Sequence, residues 1–136
     1  MWMDKKEMSG SMYRKCLKDD QKKFWSLITD DEWSYKYCAG VKDRTEIMKY
    51  ITDSSWAFWY CRTVKDRPEV RQYITDSEWV YRYCRFVEDR PDVRKNIIVS
   101  EWSYRYCKNV KDRPEVRKNI IELKWVSDYY KFVKKQ

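Results

Sequence analysis

Cysteine is the reactive side chain that recurs most regularly in this chain of 136 residues, and histidine is absent. A zinc site needs four converging ligands, and a disulfide needs Cα atoms within about 7 Å, whereas stacked helices lie about 8–10 Å apart. We therefore predict free, buried thiols in a reducing compartment, and neither a metal nor another cofactor. Four of the five thiols lie 23 residues apart, at Cys38, Cys61, Cys84 and Cys107.

A second pattern with chemical content is an aspartate followed by an arginine in each turn. A row of such arginines could bind phosphates, but an acidic residue follows each pair within three positions. We therefore predict a ladder of ion pairs between neighbouring repeats, each contributing about 0–1 kcal/mol where it is exposed. The pairs are Asp43-Arg44, Asp66-Arg67, Asp89-Arg90 and Asp112-Arg113.

The chain offers no recognisable catalytic constellation. It has no cysteine–histidine pair and no glycine-rich phosphate loop, which are the usual sequence signs of nucleophilic catalysis and nucleotide binding. Its distinctive residues recur in every repeat, whereas an active site is a single convergent set. The sequence therefore predicts a protein that is not an enzyme.

These residues belong to a 23-residue tandem repeat, marked by Trp33, Trp56, Trp79, Trp102 and Trp125. Residues 1–27 match the repeat poorly and are interpreted as a degenerate N-terminal capping segment. Repeats of this length cannot bury their apolar faces alone, so neighbours must stack. The units are 28–50, 51–73, 74–96, 97–119 and a truncated 120–136.

Each unit contains signals for two helices. Thr75 to Glu78 forms a predicted capping box for the first helix, as does Thr29 to Glu32, and Pro91 fits the first turn of the second. On a wheel of about 100° per residue, Trp79 lies at the middle of an apolar stripe that includes Tyr83, which predicts that the tryptophans are the most inward residues of the core. The fold class predicted is all-α: a short α-solenoid of about five stacked helix-turn-helix repeats.

The segments 79–84 (WVYRYC) and 65–68 (KDRP) carry a family resemblance. Residues 28–136 resemble short two-helix tandem repeats of phage and giant-virus proteins whose activity is uncharacterised. The resemblance implies an α-solenoid. It also suggests a viral inhibitor of a host enzyme as one biological role, a suggestion that rests on the resemblance alone.

The same wheel groups bases with aromatic residues away from the tryptophan stripe. Nucleic-acid grooves and protein hot spots share this composition. The alternative is that the aromatic residues pack between units while the bases form a solvated face. The predicted binding face consists of Lys36, Arg62, Arg82, Arg85, Arg105, Lys108, Tyr35, Phe58, Tyr81 and Tyr104.

Charge and composition narrow the choice of partners. Thirty bases and 22 acids give a formal net charge of +8, which favours an acidic partner. The leading prediction is a monomeric binding module for an acidic protein surface. The alternatives are sequence-tolerant binding of RNA or single-stranded DNA along the basic and aromatic face, and a structural element of a larger assembly. No membrane-spanning segment or secretory signal is predicted, which indicates the cytoplasm.

Overall fold

The computed structural model describes residues 3–134, and all of the regular structure within them is helical. The fold is therefore all-α, as predicted. The chain divides into two compact units, Met1–Tyr73 and Ile74–Gln136. Lys135 and Gln136, at the end of the predicted truncated repeat, lie outside the described residues. No helix in the described part is long and apolar enough to cross a membrane.

Long and short helices alternate along the chain. The first unit contains α1 (Lys5–Lys18), α2 (Lys22–Trp25), α3 (Asp31–Gly40), α4 (Thr45–Met48), α5 (Ser54–Thr63) and α6 (Pro68–Arg71). The second unit contains α7 (Ser77–Phe86), α8 (Pro91–Arg94), α9 (Ser100–Asn109), α10 (Pro114–Arg117) and α11 (Leu123–Phe132). From α3 onwards the long helices begin at 31, 54, 77, 100 and 123, so successive starts are 23 residues apart.

Each long helix packs against the next long helix of its own unit and, where one follows, against its own short helix. In the first unit α1 packs on α3, and α3 packs on α5. In the second unit α7 packs on α9, and α9 packs on α11. A stacked helix is therefore covered on more than one side, which sets how much of its surface is buried.

The residue that caps the first helix of a repeat differs from the predicted one. The capping box placed the cap at Thr29 and Thr75, but the side chain of Asp30 accepts a hydrogen bond from the Trp33 amide, and Asp76 accepts one from the Glu78 amide. The threonine instead belongs to the preceding loop, where the Thr29 amide donates to Ser9. Aspartate serves equally well because its carboxylate satisfies an orphan helix amide.

Proline begins the second helix in three repeats, as predicted. Pro68, Pro91 and Pro114 occupy the first turn of α6, α8 and α10. Proline lacks an N–H and has a helical φ, so it fits where no intrahelical donor is required. These helices are only four residues long, and each buries a single aliphatic anchor such as Val93 or Val116.

The centre of the core consists of tyrosines, and the prediction that the tryptophan is the most inward residue is wrong. Tyr37, Tyr60, Tyr83 and Tyr106 are 0% exposed, whereas each tryptophan of the repeat is only half-buried. The reason is that the long helix of each repeat is rotated about its axis, so that the face packed in the core is not centred on the apolar stripe of the helical wheel. This tyrosine column and the cysteine column lie inward together with Phe58, Tyr81 and Tyr104, and the tryptophan lies at the edge of that sector.

Residues 1–27 contain two helices of the same kind as the later repeats. Ser9 accepts hydrogen bonds from the Thr29 and Asp30 amides, as Ser77 does from the Ile98 and Val99 amides. Seven residues separate Ser9 from Cys16 and likewise Ser77 from Cys84. The step from Ser9 to its counterpart Asp31 is 22 residues rather than 23, and this one-residue offset hides the match from a strict 23-residue alignment.

Candidate binding surface

A cluster of one aspartate, one tyrosine and one arginine joins consecutive repeats. The Tyr60 hydroxyl donates to Asp43 at 2.6 Å, and Arg67 donates to the same carboxylate at 2.8 Å through Nη2. Arg67 Nε also donates to the Tyr60 hydroxyl oxygen at 2.8 Å. The predicted ion-pair ladder between repeats is therefore confirmed. The same arrangement joins Asp20, Tyr37 and Arg44.

The second unit repeats this ladder with one addition. Asp89 accepts hydrogen bonds from the Tyr106 hydroxyl at 2.8 Å and from Arg113 Nη2 at 3.0 Å. A further arginine, Arg94, places Nε 3.2 Å from the Tyr106 hydroxyl and 3.4 Å from Asp89. One carboxylate thus faces two guanidinium groups.

The ladder changes the acidity of its members. Burial opposes the ionisation of Asp20, but hydrogen bonds from Tyr37 and Arg44 outweigh burial and lower the pKa of this carboxyl below its ordinary 3.8. Burial likewise opposes ionisation at Asp112, yet Tyr129 and Arg117 lower its pKa. These carboxylates are therefore held in the charged form, which is the form that bonds to the next repeat.

The cysteine column packs against the turns. Cys38 is buried, and its Sγ lies 3.9 Å from the Arg44 carbonyl oxygen. Burial raises the pKa of the Cys38, Cys61, Cys84 and Cys107 thiols to about 12, so the unreactive thiol form dominates. Within residues 3–134, no group of three metal-binding side chains is placed to hold an ion.

Three bases of the predicted binding face are neutralised within their own helices. Lys36, Arg82 and Arg105 form ion pairs of 2.7, 2.9 and 3.0 Å with a glutamate one turn earlier. Each cation also lies over the tryptophan of its own repeat, within 4.5–5.2 Å of the ring centroid. These bases are therefore engaged in local pairs. The acids are Glu32, Glu78 and Glu101.

The aromatic residues of the predicted face do not stand on an open surface. Phe58, Tyr81 and Tyr104 are buried, and Tyr35 is half-buried. Stacking of repeats covers their rings, so they are not exposed partners of the bases; for these aromatic residues, the alternative of packing between units is confirmed. The ring pairs with the next repeat's tryptophan are Tyr35–Trp56 (5.5 Å), Tyr81–Trp102 (5.6 Å) and Tyr104–Trp125 (5.2 Å).

The remaining predicted bases, Arg62, Arg85 and Lys108, are exposed. Arg62 lies in the first unit, 5.7 Å from the ring of Trp59. In the second unit the Tyr81 hydroxyl accepts from both Arg85 and Asn109 at 2.9 Å. Arg85 therefore lies close to the next repeat's helix, beside the residue that follows Lys108.

Sequence reasoning missed the aromatic residues that do stand beside these bases. Phe86 and Phe132 are each 44% exposed. Lys108 and Lys131 both lie over the Phe132 ring, at 5.4 and 5.1 Å. Each phenylalanine directly follows a base, and the two lie two repeat lengths apart, with Asn109 at the same position in the repeat between them. That recurrence was the signal in the sequence. We call Arg85, Lys108 and Lys131 the basic row.

Comparison of the chain with protein-family models, curated proteins and solved structures found no match. The class of protein is therefore defined by the structure itself, as an all-α protein built from recurring helix pairs. The surface that distinguishes it is an exposed row of bases beside two phenylalanines.

Proposed function

We propose that this protein is a non-catalytic binding module, a short α-solenoid of stacked 23-residue repeats that engages an acidic protein surface. The observation that carries this proposal is the basic row. Arg85, Lys108 and Lys131 are exposed, and none forms an ion pair within residues 3–134. Since the ladder and the helical glutamates neutralise other bases, these three contribute directly to the positive field of the second unit.

The phenylalanines favour a protein partner over a nucleic acid. A sequence-tolerant nucleic-acid groove presents successive ring faces for base stacking, but Trp102 and Trp125 cover Tyr81 and Tyr104. Phe86 and Phe132 instead resemble apolar anchors within a charged rim, the arrangement common at protein interfaces. Charge would accelerate and orient the encounter, and the rings would supply contact area.

The proposal is tested by capturing a partner from nuclease-treated lysate, identifying it, and measuring its affinity in purified form. Replacing Arg85, Lys108 and Lys131 with glutamate should weaken binding by about tenfold or more while leaving the melting temperature unchanged, because all three side chains are exposed. The partner's binding site should be acidic.

A charge-matched control separates the effect of the basic row on binding from the effect of the net charge. Lys42→Glu, Lys65→Glu and Lys111→Glu change three exposed lysines elsewhere and alter the net charge equally. This control should bind within about threefold of the parent. Equal loss in both triple variants would contradict a specific row, and capture that disappears on nuclease treatment would favour the nucleic-acid alternative.

A further inference from the structure

A groove of about 330 Å³ runs between the short helices α8 and α10 of the second unit. Arg94, Lys95 and Lys118 line it with positive charge, and Glu115 contributes one acid. Ile98, which is 69% exposed, adds an aliphatic wall. The groove thus combines excess positive charge with apolar surface, and it shares no residue with the basic row.

Arg94 is the unusual residue of this groove. It is only 5% exposed, and its Nη1 atom is buried without a hydrogen-bond partner in the described part of the chain. Its contacts run through Nε, to the Tyr106 hydroxyl and to Asp89. A buried guanidinium group is favourable only when its donors and its charge are compensated.

The neighbouring repeats show why Arg94 lacks full compensation. Arg71 and Arg117 occupy the same repeat position, and each places Nε 3.0 Å from the aspartate five residues earlier. For Arg94 the same distance is 3.4 Å. Its aspartate, Asp89, already accepts stronger bonds from Tyr106 and Arg113, so part of the charge of Arg94 remains unbalanced.

We propose that this groove binds a carboxylate side chain of a partner protein, with an aliphatic neighbour of that carboxylate packing on Ile98. The carboxylate would compensate Arg94, with Lys95 and Lys118 beside it. Three bases against Glu115 leave an excess of two positive charges in the lining, part of which Asp89 already offsets at Arg94. A dianionic phosphate suits the groove less well, because Glu115 repels it more strongly and Asp89 already compensates part of Arg94.

The first unit provides a natural comparison. There the positions of Arg94, Ile98 and Lys118 are held by Met48, Thr52 and Gln72. Met48 Sδ lies 3.2 Å from the Tyr60 hydroxyl oxygen, so methionine occupies the place that Arg94 takes beside Tyr106. The fold therefore accommodates methionine at this position, and Arg94, Lys95 and Lys118 together give the groove of the second unit its positive charge.

The test uses the full chain and an acetylated, amidated hexapeptide of alternating leucine and glutamate, followed by NMR. We expect the peptide to shift the Arg94 side-chain resonances and the amides of Lys95 and Lys118. The double variant Arg94→Met and Lys118→Gln should bind the peptide about tenfold more weakly while keeping its melting temperature near that of the parent. Lys49→Gln, at the first-unit position that corresponds to Lys95, should bind as the parent does.

Three results would overturn the proposal. The first is equal affinity for the matched leucine–glutamine hexapeptide, and the second is unchanged affinity in the double variant. The third is inorganic phosphate shifting the same resonances at equal concentration, which would indicate a general anion site. Because the basic-row variants leave this groove intact, they should bind the peptide as the parent does even if the proposed function fails.

Discussion

The hydroxyl of Tyr60 donates a 2.6 Å hydrogen bond to Asp43, a residue 17 positions earlier in the chain. Tyr60 is fully buried, and Asp43 also accepts from Arg67. The bond therefore ties the turn of one repeat to the helix of the next. Asp43 therefore has a structural role, since the buried Tyr60 hydroxyl would be costly without an acceptor.

Asp43→Asn should lower the free energy of unfolding by about 1–3 kcal/mol, because asparagine leaves Arg67 without a charged acceptor and weakens the bond from Tyr60. Urea denaturation measures the change. Glu69→Gln, at an exposed acid of the next turn, is the control and should change stability by less than about 0.5 kcal/mol. A similar loss in both variants would mean that net charge, and not the ladder, matters.

The ladder should also determine stability in acid. The pKa values of Asp20 and Asp112 are lowered below 3.8 in the folded state, so their contribution is complete above the unfolded value and is lost as the pH falls through the folded one. The free energy of unfolding should therefore decline below about pH 4. Urea denaturation across a pH series measures this slope.

The double variant Asp20→Asn and Asp112→Asn should be less stable near neutral pH and should show a shallower decline in acid. Its control, Glu69→Gln with Asp92→Asn, removes two exposed carboxylates and should keep the slope of the parent. If both double variants follow the parent curve, the ladder carboxylates do not control the acid transition.

Gly10 and Gly40 should respond oppositely to alanine. A Cβ at Gly10 would lie 2.9 Å from the Trp33 ring, so Gly10→Ala should cost about 1–3 kcal/mol through overpacking. At Gly40 the nearest atom is the Tyr13 hydroxyl at 3.2 Å, the far end of a long side chain. Gly40→Ala should therefore be neutral or stabilising by up to about 1 kcal/mol, since alanine favours helix.

Thermal melts of both glycine variants provide the comparison. A Gly10→Ala protein as stable as its Gly40→Ala counterpart would mean that Trp33 moves away from α1 without cost. A large loss of stability in Gly40→Ala alone would mean that the close contact lies at Gly40 and not at Gly10.

Tyr106 should matter more to stability than Trp102, although tryptophan is the larger residue. Tyr106 is fully buried and bonded to Asp89, so Tyr106→Ala should cost about 3–5 kcal/mol. Trp102 is half-buried, so Trp102→Ala should cost about 1–3 kcal/mol. Tyr106→Phe removes only the hydroxyl, so it measures the separate contribution of that group to stability. Chemical denaturation that ranks the tryptophan variant as the less stable would restore the tryptophan-centred core.

Much of the local structure followed from the sequence. Pro68, Pro91 and Pro114 began short helices because proline suits a first helical turn. The recurrence of an aspartate and an arginine at fixed spacing predicted the ladder, since opposite charges that repeat with the fold must meet between repeats. Residues 1–27 match a strict 23-residue alignment poorly because one residue fewer separates Ser9 from Asp31.

The composition of the exposed surface, by contrast, was decided by tertiary packing. A helical wheel finds one apolar stripe, but a stacked helix is covered by helices on more than one side, so its buried sector is wider than the stripe and centred elsewhere. That rotation brought Tyr81 inside against Trp102 and left Phe86 exposed. The sequence by itself determined which helices form and which charges recur along the chain. Only the packing of neighbouring repeats decided which rings reach solvent. The same packing places two arginines on Asp89 and leaves Arg94 with a buried donor that has no partner among residues 3–134.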